Sequence, residues 1–174
     1  RLTPKKAPLD AVKSLQKANL EGASLHLDIV GDGECRKEVE QYVQKHNLLK
    51  AVTLHGYLPN EEVANHMRKA DAFLLPSKTA PNGDQEGTPT VLVEAQATGL
   101  PCVTTYHSGI PEMIPKSNHN LLAEEGDIQN LSEILYRLTT VEINELQAVA
   151  RKGREKVEND FSLSGEVQKL RSVY

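Results

Sequence analysis

The stretch Glu86–Pro101, EGTPTVLVEAQATGLP, turns a polar loop into a well-punctuated helix. Thr88 has the side chain of an N-cap, Pro89 suits the first helical position with its φ already set, and Gly99 followed by Pro101 stops the helix. A helix is therefore predicted from about Pro89. Its first turn offers the backbone N–H groups of Thr90, Val91 and Leu92 and the positive end of a helix dipole. Gly87 in front lets a ligand approach the backbone closely. Such an end suits a phosphate.

Two carboxylates flank it. Glu86 precedes the cap, and Glu94 lies further along the helix with its side chain leaning back toward the N-terminus. A carboxylate repels phosphate but accepts well from paired hydroxyls. A ligand with a diphosphate in the middle and a sugar at each end would satisfy all of these groups. Taken singly, each Glu reads as a solvated surface residue. The cap, the glycine and the spacing together point to a site.

A chain of 174 residues, 39% hydrophobic and 25% charged, suits one soluble domain with a proper core. The net charge of -4 and the lack of a basic stripe argue against a nucleic-acid partner. No apolar run is long enough to cross a bilayer. Cys35 and Cys102 are far apart in sequence, so reduced thiols are expected rather than a disulfide.

Strand and helix signals alternate along the chain. Leu9, Val12, Leu15, Gln16 and Leu20 keep a helical period after a basic cluster of Arg1, Lys5 and Lys6. Leu25, Leu27, Ile29 and Val30 read as a buried strand ending at Gly31-Asp32-Gly33, with a helix from about Glu34 to His46. GDGECR is no dinucleotide fingerprint, because Arg36 stands at the third glycine's place; a tight strand-to-helix turn is the expected use of these glycines. Val52, Leu54 and Gly56 form a second strand, and Tyr57-Leu58-Pro59 leads into a helix capped by Asn60. Ala72–Pro76 reads as a third strand buried on both faces, followed by a flexible-looking insert, Ser77–Gly87. Pro101–Tyr106 and Leu121–Ala123 supply two more strands. Asp127 opens a helix to about Leu138, Thr139 and Glu142 form a capping box for the next, and a last helix is expected near 167–174. This is an α/β chain with a doubly wound, mainly parallel, Rossmann-like sheet and its ligand at the carboxyl ends of the strands.

NGDQEG imitates the start of an EF-hand, with Asn82, Asp84, Glu86 and Gly87 in place, but Val93 stands where the closing Glu belongs. A calcium loop is not expected. The histidines His26, His46, His55, His66, His107 and His119 show no paired ligand spacing, so no metal site is expected from them. Neither a nucleophile elbow nor a P-loop is present.

Glu86 and Glu94, with seven residues between them and set in EGTPTVLVEAQATGLPCVTT followed by GIPEMI, resemble the Glu-x7-Glu signature of family 4 retaining glycosyltransferases. The resemblance covers nearly the whole chain. It implies the GT-B fold, two Rossmann-like domains facing each other across a cleft, with residues 1–174 forming the C-terminal, donor-binding domain of a larger enzyme whose N-terminal acceptor domain is absent. RLTPKKAPL is similar to the start of that domain. By position, Arg1 and Lys6 then hold the donor diphosphate and stabilise its charge as it leaves, although Ala7 replaces the family's usual Gly.

On the same pattern Glu86 contacts the transferred sugar, Glu94 the ribose hydroxyls, and Gly87, Thr88, Thr90 and Val91 the phosphates. Tyr57 and Leu58 line the base pocket, or Tyr57 simply packs on the sheet edge. HSGIPE corresponds to the family's GG-x-PE loop with Ser108 in place of the first glycine. Together with SKTAPNGDQEGTP it resembles bacterial exopolysaccharide transferases of the colanic acid and amylovoran type.

The implied reaction is transfer of a hexose from a nucleotide-diphosphate sugar, UDP rather than GDP, to a glycan or lipid-linked acceptor in cell-surface polysaccharide synthesis. It needs no cofactor or metal. The implied location is the cytoplasm, with peripheral association at the inner face of the membrane. A non-catalytic nucleotide-sugar sensor and a GT-B epimerase are the competing readings.

Overall fold

In a computed structural model, residues 1–161 are described. After a 3-10 turn at Pro4–Lys6, the elements run α1 Pro8–Leu20, β1 Leu27–Val30, α2 Arg36–Lys45, β2 Val52–Gly56, α3 Asn60–Lys69, β3 Phe73–Leu74, α4 Thr90–Thr98 and β4 Cys102–Thr105. Then come α5 Ile110–Met113, a 3-10 turn Lys116–Leu121, β5 Leu122–Ala123, α6 Ile128–Thr140 and α7 Ile143–Asp160. All pairings are parallel: Leu27 opposite Val52 in β1–β2, Phe73 opposite Cys102 in β3–β4, and Thr104 opposite Leu122 in β4–β5. The backbone ladder forms two pieces, β1–β2 and β3–β4–β5.

Helices cover both faces of the β3–β4–β5 piece, as parallel strands joined by helical crossovers require. Successive strand residues show it. Cys102 and Leu122 point into a cluster with Met67 of α3, Leu92 and Ala95 of α4, and Ile110 and Met113 of α5. Their neighbours Val103 and Ala123 point the opposite way, against Leu131, Ile134 and Leu135 of α6 and Ala18 of α1. A third cluster joins Val12 and Leu15 of α1 to Val39 and Val43 of α2 over Ile29 and Val52. Leu92 and Leu131 are fully buried, and truncating either to Ala would cost about 2–5 kcal/mol.

The strand expected over Leu25–Val30 is β1, Leu27–Val30, and it is buried on one face alone. Leu27, Ile29, Val52 and Leu54 face α1 and α2, while His26, Asp28, Thr53 and His55 lie on the other face by the period of two. The alternation of apolar and polar residues in LHLDI and VTLH is that of a half-buried strand. In Ala72–Pro76 only Phe73 and Leu74 pair as strand, and both are half-buried.

Three caps differ from expectation. Thr88 is exposed and makes no capping bond; Pro89 is the N-cap, its extended backbone starting the helix one residue later. Pro89 likewise biases Thr88 away from helical geometry. Asn60 is the first helical residue of α3, behind Pro59. The Thr139–Glu142 box does not form, because α6 runs through Thr140 and the Thr139 hydroxyl donates back to the Tyr136 carbonyl. Asp127 does cap α6, accepting from the Asn130 N–H at 2.8 Å, and Gly99 ends α4 at φ 87°. The helix expected near 167–174 lies outside the described residues.

The glycines after β1 have a steric reason. A Cβ on Gly33 would sit 2.4 Å from the Leu2 carbonyl oxygen, because Leu2 threads this turn, donating to the Asp32 carbonyl and accepting from the Cys35 N–H. The turn thereby brings the Arg1–Lys6 segment to the carboxyl ends of the strands.

Candidate functional site

The loops after β1 to β5 meet at the carboxyl ends of the strands. Buried Thr104 and Thr105 fix the exit of β3, their hydroxyls donating to the carbonyls of Leu75 at 2.7 Å and Ser77 at 2.5 Å. The insert Ser77–Gly87 has no regular structure but is tightly tethered, contrary to its flexible look. The Lys78 N–H donates to the Lys5 carbonyl, and Lys5 Nζ reaches Asp84 Oδ1 and the Gln85 carbonyl, each at 3.1 Å. Lys78 Nζ pairs with Asp10 Oδ2 at 2.6 Å. Such ties need side chains from distant segments, which no local composition shows.

Glu86 is 8% exposed, and its Oε1 lies 2.8 Å from Lys6 Nζ. The contact is a charge pair without hydrogen-bond alignment, since Glu86 Oε1 accepts no aligned bond; Thr3 Oγ1 and Ser77 Oγ are likewise buried and unbonded. All three lie in the Arg1–Lys6 segment or the insert that Lys5 and Lys6 grip. Buried polar atoms are ordinarily satisfied, so these three oxygens have hydrogen-bonding capacity to spare.

His107, 0% exposed, positions the backbone of Glu86. The Glu86 N–H donates to His107 Nε2 at 3.0 Å, so that nitrogen must accept and the ring hydrogen sits on Nδ1, facing Glu125 Oε1 at 2.5 Å. Glu125 Oε2 in turn accepts from the Thr79 N–H at 2.7 Å. Burial pushes the Glu125 carboxyl up, but the hydrogen bonds from the Thr79 N–H, His107 and the Thr79 hydroxyl outweigh it and hold the group below the ordinary carboxylate range. In the sequence His107 stands out only as the start of HSGIPE and as one of six scattered histidines. Its partners lie 21 and 18 residues away, and no spacing rule links them.

The other candidates surround this core. Gly87 has open space where a Cβ would stand, and a Cβ on Gly109 would lie 3.6 Å from the Gly87 carbonyl oxygen. The HSGIPE loop therefore borders the Glu86 loop. Ser108 adopts φ 46°, the left-handed conformation that glycine takes most easily, so the substitution keeps the backbone shape and adds an exposed hydroxyl. Thr90 and Val91 stand at the open end of α4, but the Leu92 N–H is used by the Pro89 carbonyl at 2.9 Å. Leu92 therefore leaves the expected set of free amides. Glu94 is exposed on α4.

Arg1 is exposed, and its main-chain nitrogen would lie 3.4 Å from a Cβ on Gly31. Tyr57 is 80% exposed, which rules out packing against the sheet edge, and Leu58 is half-buried. Arg36 joins them: its Nη1 would be 2.9 Å from a Cβ on Gly56, and it pairs with Asp32 and Glu40.

His55 and His66 come together with Asp28, although no sequence spacing suggested it: the three residues come from β2, α3 and β1, and only folding makes them neighbours.

A parallel α/β unit packed between helices, with its loops gathered at the carboxyl ends of the strands, is one Rossmann-like half of the GT-B architecture. Residues 1–156 match the family described as glycosyl transferases group 1, and the chain belongs to this family. It is 40% identical over 162 residues to the amylovoran biosynthesis glycosyltransferase AmsK of Erwinia amylovora, and 36% identical over 162 residues to WcaL of Escherichia coli K12, a protein named for colanic acid biosynthesis. Each alignment takes in 93% of this chain and 40% of the relative, so the chain spans about two fifths of the length of these proteins. The fold is that of Anabaena HepE, solved with UDP and glucose, at a TM-score of 0.83 and 21% identity over 99% of this chain and 46% of HepE. The expected resemblance to exopolysaccharide glycosyltransferases is thus borne out. Among the described residues no helix is long and apolar enough to cross a membrane.

Proposed function

We propose that this chain is the donor-binding domain of a retaining glycosyltransferase that moves a hexose from a nucleotide-diphosphate sugar to a glycan or lipid-linked acceptor in bacterial cell-surface polysaccharide synthesis. The observation that carries this reading is the buried Glu86, paired with Lys6 and followed directly by Gly87 and the open start of α4. Lys6, Arg1 and the amides of Thr90 and Val91 supply positive charge for a diphosphate, beside Gly87 and Thr88. Glu86 and Glu94 supply acceptors for the hydroxyls of the sugar and the ribose. Fixed donors of this kind stabilise the charge that grows on the departing diphosphate without reorganising.

In this reading the acceptor is held by a further domain of a longer polypeptide, consistent with the 40% share of AmsK that the chain spans. Tyr57 and Leu58 border the base. HepE, solved with UDP, favours UDP over GDP as the nucleotide, and the lysines and amides make a metal unnecessary for donor binding. The enzyme works in the cytoplasm, at the inner membrane face when its acceptor is lipid-linked.

The test is calorimetric titration with UDP and with GDP, each with and without magnesium. Binding of UDP that is independent of magnesium and weakened by Glu94→Ala is the expected result. Unchanged affinity in that variant would sink the ribose role of Glu94, and absence of binding to the full-length protein would sink the donor-site reading.

A further inference from the structure

The polar face of the β1–β2 pair carries groups to which the donor reading gives no role. In the register, Ile29 faces Leu54 but Val30 faces Gly56, so His55 is an extra residue in β2. Such a bulge is a device for re-aiming a side chain. His55 Nε2 lies 2.6 Å from Asp28 Oδ1 on the neighbouring strand. From α3, His66 brings its ring against that of His55, centroids 4.4 Å apart and planes tilted by 56°. One ligand atom from each of Asp28, His55 and His66 lies within 4.8 Å of the other two. His26 stands on the same face, its Nε2 3.8 Å from the same Asp28 oxygen, with its ring bonded to the Lys50 carbonyl and the Thr53 hydroxyl.

We propose that Asp28, His55 and His66 form a binding site for a divalent transition-metal ion of the zinc class. Bond lengths of about 2.0–2.2 Å to imidazole nitrogen and carboxylate oxygen place tetrahedral ligand atoms within the span that these three already occupy. Rotation of the His55 and His66 rings closes the remainder. Two imidazoles and one carboxylate suit zinc, cobalt or nickel, whereas magnesium and calcium prefer all-oxygen sets. Asp28 is 49% exposed on its side chain and His55 25%, so solvent reaches the remaining coordination positions and the ion has a way in. His55 and His66 bracket the turn that carries Tyr57 and Leu58. An ion held by both would therefore brace that turn against β1.

The experiment titrates zinc chloride into the full chain, prepared without a histidine tag, near neutral pH, and follows heat and thermal midpoint. Wild type should bind one zinc per chain and melt at higher temperature when loaded. Asp28→Asn and His66→Gln should each weaken binding by at least about tenfold while keeping the metal-free midpoint and circular dichroism of wild type. Cobalt should give the intense visible bands of a low-coordinate site in wild type but not in His66→Gln. Failure of wild type to bind zinc, or equal binding by wild type and both variants, would overturn the assignment. Should either variant misfold, His55→Gln serves in its place under the same criteria.

Discussion

The Glu86 N–H and His107 Nε2 stand 3.0 Å apart, and this bond joins two loops that follow different strands. One loop carries the buried carboxylate and leads into α4; the other carries Ser108 and Gly109. Because Nδ1 of the same ring is directed at Glu125, three segments share one imidazole.

Replacing His107 by Ala should therefore do more than open a cavity. It leaves the buried Glu86 N–H without its acceptor, a loss of about 1–3 kcal/mol, and takes one donor from the exposed Glu125, which keeps the Thr79 N–H. A lower thermal midpoint, with partial recovery in His107→Gln, is expected in thermal denaturation. An unchanged midpoint in the Ala variant would show that the ring holds nothing in place.

Acid should loosen the same region. With its folded-state value below the ordinary 4.5, the Glu125 carboxyl contributes stability that is fully present above the unfolded value and lost as pH falls through the lowered folded one. Glu125→Gln should flatten the decline of stability on the acid side. Identical acid denaturation profiles for wild type and variant would refute the linkage.

Gly33→Ala should be severe for a one-carbon change. The new Cβ would meet backbone, the Leu2 carbonyl at 2.4 Å, so either the turn or the Arg1–Lys6 segment must move, at a cost of about 2 kcal/mol or more. Denaturant unfolding would measure this, and the same variant should bind nucleotide more weakly. Wild-type stability would mean that the close approach is easily relieved.

Glu86→Gln separates the two halves of the proposed chemistry. In the full-length enzyme it should lower the transfer rate by tenfold or more, of the order expected for a lost transition-state contact, while affinity for bare UDP does not fall, because the carboxylate that competes for Lys6 is gone. Equal transfer rates would remove Glu86 from the reaction.

The alternation of strand and helix, the parallel class and the polar loop before α4 were legible in the chain, because periodicity, Gly99 and Asp127 are local signals that the packing respects. Caps misled where proline intervened: Pro59 and Pro89, with extended backbones, took positions assigned to Asn60 and Thr88. The one-sided burial of β1 and β2 is visible in the alternation of LHLDI, although its apolar count alone suggests a strand buried on both faces. What the chain did not disclose was cross-chain partnership: His107 with Glu125, Lys5 with Asp84, and His55 with His66. Each of these contacts depends on the fold being complete, so no local pattern predicts it.

Lys6 and Glu86, 2.8 Å apart, give the proposed donor site an internal counterion. A donor's phosphate does not meet a bare cation; it competes with a carboxylate already seated there. Binding then exchanges one ion pair for another, which weakens the hold on any simple anion and favours a ligand that also offers hydroxyls to the displaced Glu86. In the proposed site the pair would act as a filter: phosphate or sulfate alone would have little to gain, and a sugar joined to a diphosphate would engage both partners at once.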